Sequence, residues 1–82
     1  MAQTDYLEIK EEETELVQKV AALIKTRREE LGMSQALLSK LSGVEKAYVS
    51  RLERGKRPGF TFGIIVKLFT SLKINFATID DL

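Results

Sequence analysis

The side chains best suited to chemistry are the basic ones of a single short stretch, because the chain contains no histidine and no cysteine. The absence of these residue types excludes the commonest general base, most zinc ligands and every cysteine nucleophile. The basic residues of this stretch are Lys46, Arg51, Arg54, Lys56 and Arg57. Clustered positive charge favours a polyanion as the partner, and an ordinary solvated surface is the alternative.

The charge of the whole chain, +1, hides a strong separation along the sequence. Residues 1–15 carry six acids against Lys10, a net charge of −5, and Asp80 with Asp81 adds −2. Residues 16–79 hold twelve Lys or Arg against four Glu, a net charge of +8. A basic body with acidic ends suits a polyanion that approaches one face of the protein.

Other reactive patterns are weak, and we expect neither an enzyme nor a cofactor or metal site. Glu11, Glu12 and Glu13 are consecutive, and helical neighbours point about 100° apart, so they cannot hold one ion closely. The serines lack a histidine base, and no glycine-rich phosphate loop precedes a helix. Apolar runs are too short to span a membrane, and the acidic N-terminus lacks the charged-then-apolar layout of a signal peptide, so we expect a cytoplasmic protein without a membrane partner.

The length of 82 residues predicts one hydrophobic core. Such a chain buries roughly 63% of its surface on folding, so a dimer interface would add useful stability. We divide the chain into an acidic N-terminal extension, residues 1–13, and a domain with a C-terminal dimerisation segment, residues 14–82.

Apolar spacing predicts four helices in that domain. The first covers residues 15–31 after Thr14 and stops at Gly32; the second covers 35–42, between Ser34 as N-cap and Gly43. The third covers 45–54, and the fourth runs from a Thr61 cap to about residue 72. The residues expected to face the core are Val17, Val20, Ala21, Ile24, Leu31, Leu38, Leu41, Val49, Leu52, Ile65, Leu68, Phe69 and Leu72.

Both ends of the chain leave alternatives open. Residues 74–82 fit either a helical turn capped by Asn75 or a strand with Ile74, Phe76 and Thr78 alternating. Residues 6–9 have similar β-prone character. Two short terminal strands could pair across a dimer, whereas a frayed N-terminal tail is the commoner outcome.

Residues 31–55 resemble the helix-turn-helix of the lambda repressor and Cro superfamily, also called the XRE type. Counted from a glutamine that begins the second helix, the pattern asks for a small residue four positions on, glycine at the ninth position, and apolar residues at the fifteenth and eighteenth. The chain supplies Gln35, Ser39, Gly43, Val49 and Leu52. The resemblance extends over about residues 16–74 and implies an all-α domain of four to five helices, with the helix-turn-helix at about 35–54.

In this family the third helix enters the major groove of DNA and the second lies across the backbone. The resemblance implies base contacts from Lys46, Ala47, Tyr48 and Arg51. It implies phosphate contacts from Ser34, Gln35, Ser50, Arg54, Lys56 and Arg57. We expect Glu53 to pair internally with Arg27 or Arg28, and the Glu45 carboxylate to cap the third helix.

The resemblance implies a prokaryotic-type regulator that binds double-stranded DNA in a sequence-specific way and acts as a repressor. A homodimer is expected because one short helix offers few base contacts, and we place its interface at Phe69, Ile74 and Phe76. One alternative is an antitoxin that binds a toxin protein and autoregulates its operon, since a C-terminal strand would resemble HipB-like proteins. Another is a protein-interaction adaptor, although a pure adaptor has no need of the basic stretch.

Overall fold

The computed structural model describes residues 2–55 and 61–81, with the backbone alone described for residues 2–14 and 79–81. The elements are helices α1 (Ala2–Glu30), α2 (Gln35–Ser42), α3 (Lys46–Glu53) and α4 (Phe62–Leu72), followed by a 3-10 helix (Phe76–Asp81). Every element in these described ranges is helical, which confirms the predicted all-α class.

Helix α1 begins at Ala2, well before the predicted start at residue 15. No glycine or proline interrupts residues 2–31, and most of the early residues are good helix formers. Acidic residues near the N-terminus of a helix also stabilise it, because negative charge interacts favourably with the helix dipole there. These local preferences continue the helix through Thr14, which is not an N-cap.

The terminal strands considered from the sequence are wrong for the described residues. Residues 6–9 lie within α1, and residues 76–81 form the 3-10 helix. Asn75 begins this last element, since its side-chain oxygen accepts from the Ala77 N–H at 2.8 Å and its carbonyl from Thr78 at 2.9 Å. The first of the two alternatives, a helical turn capped by Asn75, is therefore confirmed.

A single apolar core joins the four helices, and α1 packs against α3 and α4 while α2 packs against α3 and α4. Its buried side chains include eleven of the thirteen predicted residues together with Val44, at the turn before α3. Leu31 and Leu41 were predicted to face inward, and this is wrong, because they are 39% and 55% exposed. Leu31 follows the end of α1, and α2 turns only Leu38 fully inward.

The ends of α4 are fixed by local contacts. The Thr61 hydroxyl accepts from the Ile64 N–H at 3.2 Å, which confirms this residue as the N-cap. At the other end Lys73 adopts a left-handed conformation, with φ 56°, and its N–H bonds back into the last turn. The chain then returns over the core, where the centroid of the Phe76 ring lies 4.9 Å from that of the Phe69 ring.

The molecule is elongated along α1. Its longest dimension is 46 Å, and a helix of 29 residues spans about 43 Å. Within the described part of the chain, no helix is both long enough and apolar enough to cross a membrane.

Candidate nucleic-acid interface

The turn between α2 and α3 sets the direction of α3. The Ser34 hydroxyl accepts from the Leu37 N–H at 3.0 Å and so begins α2 as predicted. Gly43 ends α2 with φ +77°, a conformation that side chains with a Cβ rarely adopt. Val44, which is 6% exposed, then enters the core, and its N–H donates to Ser42 Oγ at 3.1 Å.

Helix α3 has one buried face and one exposed face. Val49 and Leu52 have no exposed surface and hold the helix against the core. The opposite side presents Lys46, Ala47 and Arg51 to solvent, and Arg54 follows at its C-terminal end. Three of the four residues predicted to reach base edges are therefore exposed together on one short helix.

Tyr48 occupies a different environment from the other predicted base-contacting residues. It is half-buried and packs against the core at the edge of a depression of about 260 Å³. Burial raises the pKa of its phenol, while the charge of Arg51 and the backbone of Thr61 act in the opposite direction. The ring therefore links α3 to the start of α4 in addition to facing the depression.

The other walls of this depression come from the turn and α4: Gly43, Val44, Glu45, Ile64 and Lys67. Glu45 precedes α3, but its side chain makes no capping hydrogen bond, so the predicted carboxylate cap is wrong. Lys67 is exposed on α4 and had not been singled out from the sequence, because no motif position marks it.

An ion pair with a nearly inaccessible carboxylate joins α1 to α3. Arg28 Nε donates to Glu53 Oε2 at 2.7 Å, and Arg28 Nη2 donates to Glu53 Oε1 at 2.9 Å. The Glu53 side chain is only 2% exposed. The expected partner is thus Arg28, whereas Arg27 donates from Nε to the Leu72 carbonyl at 3.0 Å and stabilises the end of α4.

Gln35 connects this ion pair to α2. Its side-chain Nε2 donates to Glu53 Oε1 at 3.0 Å. Burial alone would raise the pKa of the Glu53 carboxyl, but the hydrogen bonds from Arg28 and Gln35 hold that pKa below its ordinary value. The hydrogen bond to Glu53 likewise raises the pKa of Arg28. One carboxylate therefore positions three helices at the start of α2 and the end of α3.

Four of the residues predicted to contact phosphate lie at the start of α2 or towards the end of α3, near the contacts of Glu53. Ser34 is exposed and Gln35 half-buried at the start of α2; Ser50 is half-buried and Arg54 exposed at the end of α3. Lys56 and Arg57 lie outside the described residues. The start of α2 and the exposed side of α3 together form the candidate interface.

This arrangement of helices agrees with a family model described as Helix-turn-helix, which matches residues 24–78. The chain belongs to this family, of the XRE, lambda repressor and Cro type. The match contains α2, α3 and α4 in full, together with the last part of α1. The helix-turn-helix domain is thus a DNA-binding domain of a regulator of XRE type, in a family that is not enzymatic. No curated protein and no solved structure matches the chain.

The three residues predicted to form the dimer interface differ in how much of their surface is exposed. Phe69 is fully buried in the core and has no surface to offer a second molecule. Ile74 is half-buried, and Phe76 is 36% exposed. Phe62, which no motif position marks, is 75% exposed, and its ring centroid lies 5.9 Å from that of Phe76.

Proposed function

We propose that the protein is a sequence-specific, double-stranded DNA-binding repressor that acts as a homodimer, with α3 in the major groove. The observation that carries the proposal is the two-sided character of α3. Its buried Val49 and Leu52 fix the helix to the core, and its exposed Lys46 and Arg51 point away from the core. Family membership supplies the class of ligand, and this face supplies the residues that would read it.

The exposed side chains of α3 have the chemistry needed at base edges. An α-helix with its side chains is about 10–12 Å in diameter, which fits the major groove, about 12 Å wide. Lys46 and Arg51 can donate to guanine O6 and N7, and Ala47 can pack against a thymine methyl group. Tyr48, half-buried beside them, would contribute from the edge of the contact surface.

Phosphate contacts would come from the residues that flank this face. The first N–H groups of α2, beside Ser34 and Gln35, suit an anion because the helix dipole is positive there. Ser50 and Arg54 extend the surface along α3, and Lys56 and Arg57 continue it in sequence. These contacts would orient the domain on the duplex without reading its sequence.

The first experiment selects bound sequences from random duplex DNA and then measures affinities across a salt series for the wild type, Arg51→Ala and Arg54→Ala. Arg51→Ala should lose about 1–3 kcal/mol of discrimination between the selected site and random DNA. Arg54→Ala should weaken both duplexes equally and reduce the slope of log K against log salt by about one.

The two variants are each other's control, since both remove one exposed arginine from the same helix end. Equal loss on both duplexes in Arg51→Ala would remove it from the base-reading set. If no sequence is enriched and binding stays weak at low salt, the fold would instead serve a protein partner, as in an adaptor or an antitoxin. The C-terminal strand that favoured the antitoxin alternative is a 3-10 helix.

The homodimer part of the proposal is supported by the exposed aromatic patch formed by Phe62 and Phe76. Large aromatic side chains dominate the core of many interfaces, and two exposed rings in contact extend the core through Phe69 to the surface. A two-fold dimer would place two copies of α3 about 34 Å apart, on successive major grooves.

The dimer is tested by sedimentation equilibrium with Phe62→Ser, because Phe62 has little surface buried in the single chain. We expect the variant to dissociate at concentrations at which the wild type is dimeric, and to lose affinity for a two-half-site duplex more than for one half-site. The matched control is Leu41→Ser, which also replaces an exposed apolar residue with serine, but on α2 and outside the aromatic patch. A dimer that dissociates equally in both variants would refute this interface.

A further inference from the structure

The first half of α1 lies outside the region that matches the family. The match begins at residue 24, and the first buried side chain among those described is Val17. We call residues 2–16 the acidic arm, since they carry six acids against Lys10. The arm is therefore an addition to the helix-turn-helix domain, with a net charge of −5.

The direction of the acidic arm is fixed by the rest of α1. Val17, Val20 and Ile24 anchor the following turns in the core. The backbone is one continuous helix from Ala2 to Glu30, without glycine or proline, so the arm cannot bend back on itself. Fifteen helical residues extend about 22 Å beyond this anchor.

The base of the arm lies next to the end of α3. A Cβ placed on Gly55 would be 3.8 Å from Gln18 Cγ, so α1 passes the C-terminal end of α3 at this point. Gly55 directly follows Arg54, which belongs to the proposed phosphate-contacting set. The acidic arm thus starts beside one end of the proposed DNA surface and carries the same sign of charge as DNA.

We propose that the acidic arm lowers the affinity of the domain for DNA by electrostatic repulsion of the phosphate backbone. The inference rests on the proposed function and adds a regulatory element to it. The Debye length, beyond which exposed charges are largely screened, is about 10 Å at 0.1 M salt and about 3 Å at 1 M. The repulsion should therefore act at low salt and vanish at high salt. Removing three of the arm's charges should tighten binding about threefold to tenfold at roughly 50 mM salt.

The test compares three full-length proteins: the wild type, the neutral variant Glu11→Gln/Glu12→Gln/Glu13→Gln, and the charge-preserving control Glu11→Asp/Glu12→Asp/Glu13→Asp. Glutamine keeps the helix propensity of glutamate, whereas aspartate lowers the propensity and keeps the charge. Affinities for a 20-base-pair random duplex and for the selected site are measured by fluorescence anisotropy at several salt concentrations. Circular dichroism reports whether the helix content is retained.

The expected result is tighter binding of both duplexes by the neutral variant alone, with the difference lost near 0.5 M salt. Equal affinities for all three proteins at low salt would overturn the inference and leave the proposed function intact. Tightening by the aspartate control as large as that of the neutral variant would also overturn it, since the cause would then be a change in helix structure. Absence of DNA binding by all three proteins would overturn the proposed function, and the inference with it.

Discussion

The ion pair between Arg28 and Glu53 offers the sharpest test of how the domain is held together. Replacing Arg28 with methionine keeps an unbranched apolar stem but removes the guanidinium group, and with it two hydrogen bonds to Glu53 and one, of 2.7 Å, to the Met33 carbonyl. The Glu53 carboxylate, 2% exposed, would then be left with Gln35 as its remaining donor among these contacts.

Removing one partner of a buried ion pair lowers the free energy of unfolding by about 3–5 kcal/mol, since the other charge remains buried without compensation. Because Gln35 still donates to Glu53, we expect the lower end, about 3 kcal/mol at pH 7. For a domain of this size such a loss lowers Tm by about 12–24 °C. Urea unfolding followed by circular dichroism would measure the free energy directly.

The pH dependence of the stability loss provides a second, independent test of the ion pair. The pKa of Glu53 is lowered in the folded protein, so the stability contributed by its ionised form is present above the ordinary pKa and is lost as the pH falls through the folded value. The cost of Arg28→Met should therefore be largest at pH 7 and shrink towards pH 3. Protonation removes the buried negative charge that makes the variant unstable.

Two controls separate the ion pair from general effects of losing a cation. Lys19→Met removes an exposed partner of Glu15, at 3.4 Å, and should cost less than about 0.5 kcal/mol. Arg28→Met/Glu53→Leu removes both charges and should recover much of the loss. A cost below about 1 kcal/mol at pH 7, or one that is unchanged at pH 3, would refute this account of the junction.

Two glycine exchanges at helix ends give further predictions. Gly43→Ala should cost about 1 kcal/mol, because the added Cβ meets no atom within 4 Å and the whole penalty comes from φ +77°; Gly63→Ala, where φ is not positive, is the control that should be neutral or stabilising. Lys73→Gly should raise stability by about 0.5–1 kcal/mol, since Lys73 has φ 56°. Thermal unfolding checks both, and opposite signs would show that other contacts decide these turns.

Local chemistry made much of the fold predictable from the sequence. Ser34 and Thr61 begin their helices, and Gly43 ends α2, because each acts through hydrogen bonds or backbone angles within a few residues. The periodicity of α4 likewise identified its buried residues, since Ile65, Leu68 and others recur on one face. Such features need no knowledge of the neighbouring helices.

The errors arose where two local signals compete or where packing decides. Thr14 has the residue type of an N-cap, but the helix-forming residues before it continue α1. Helix α2 contains three leucines, and periodicity alone does not say that Leu38 faces the core while Leu41 is exposed. The bond from Gln35 to Glu53 joins residues 18 positions apart, so only the tertiary structure reveals it.

The shortness of α2 and α3 couples the binding surface to the folding of the whole domain. Each has eight residues, and isolated helices below about 12–15 residues are marginal in water. The exposed face of α3 consequently exists only while the core is closed, so folding and competence to bind DNA are one equilibrium. Bound DNA would raise the apparent stability of the domain by mass action, and a core substitution that unfolds the domain would lower the concentration of protein able to bind DNA.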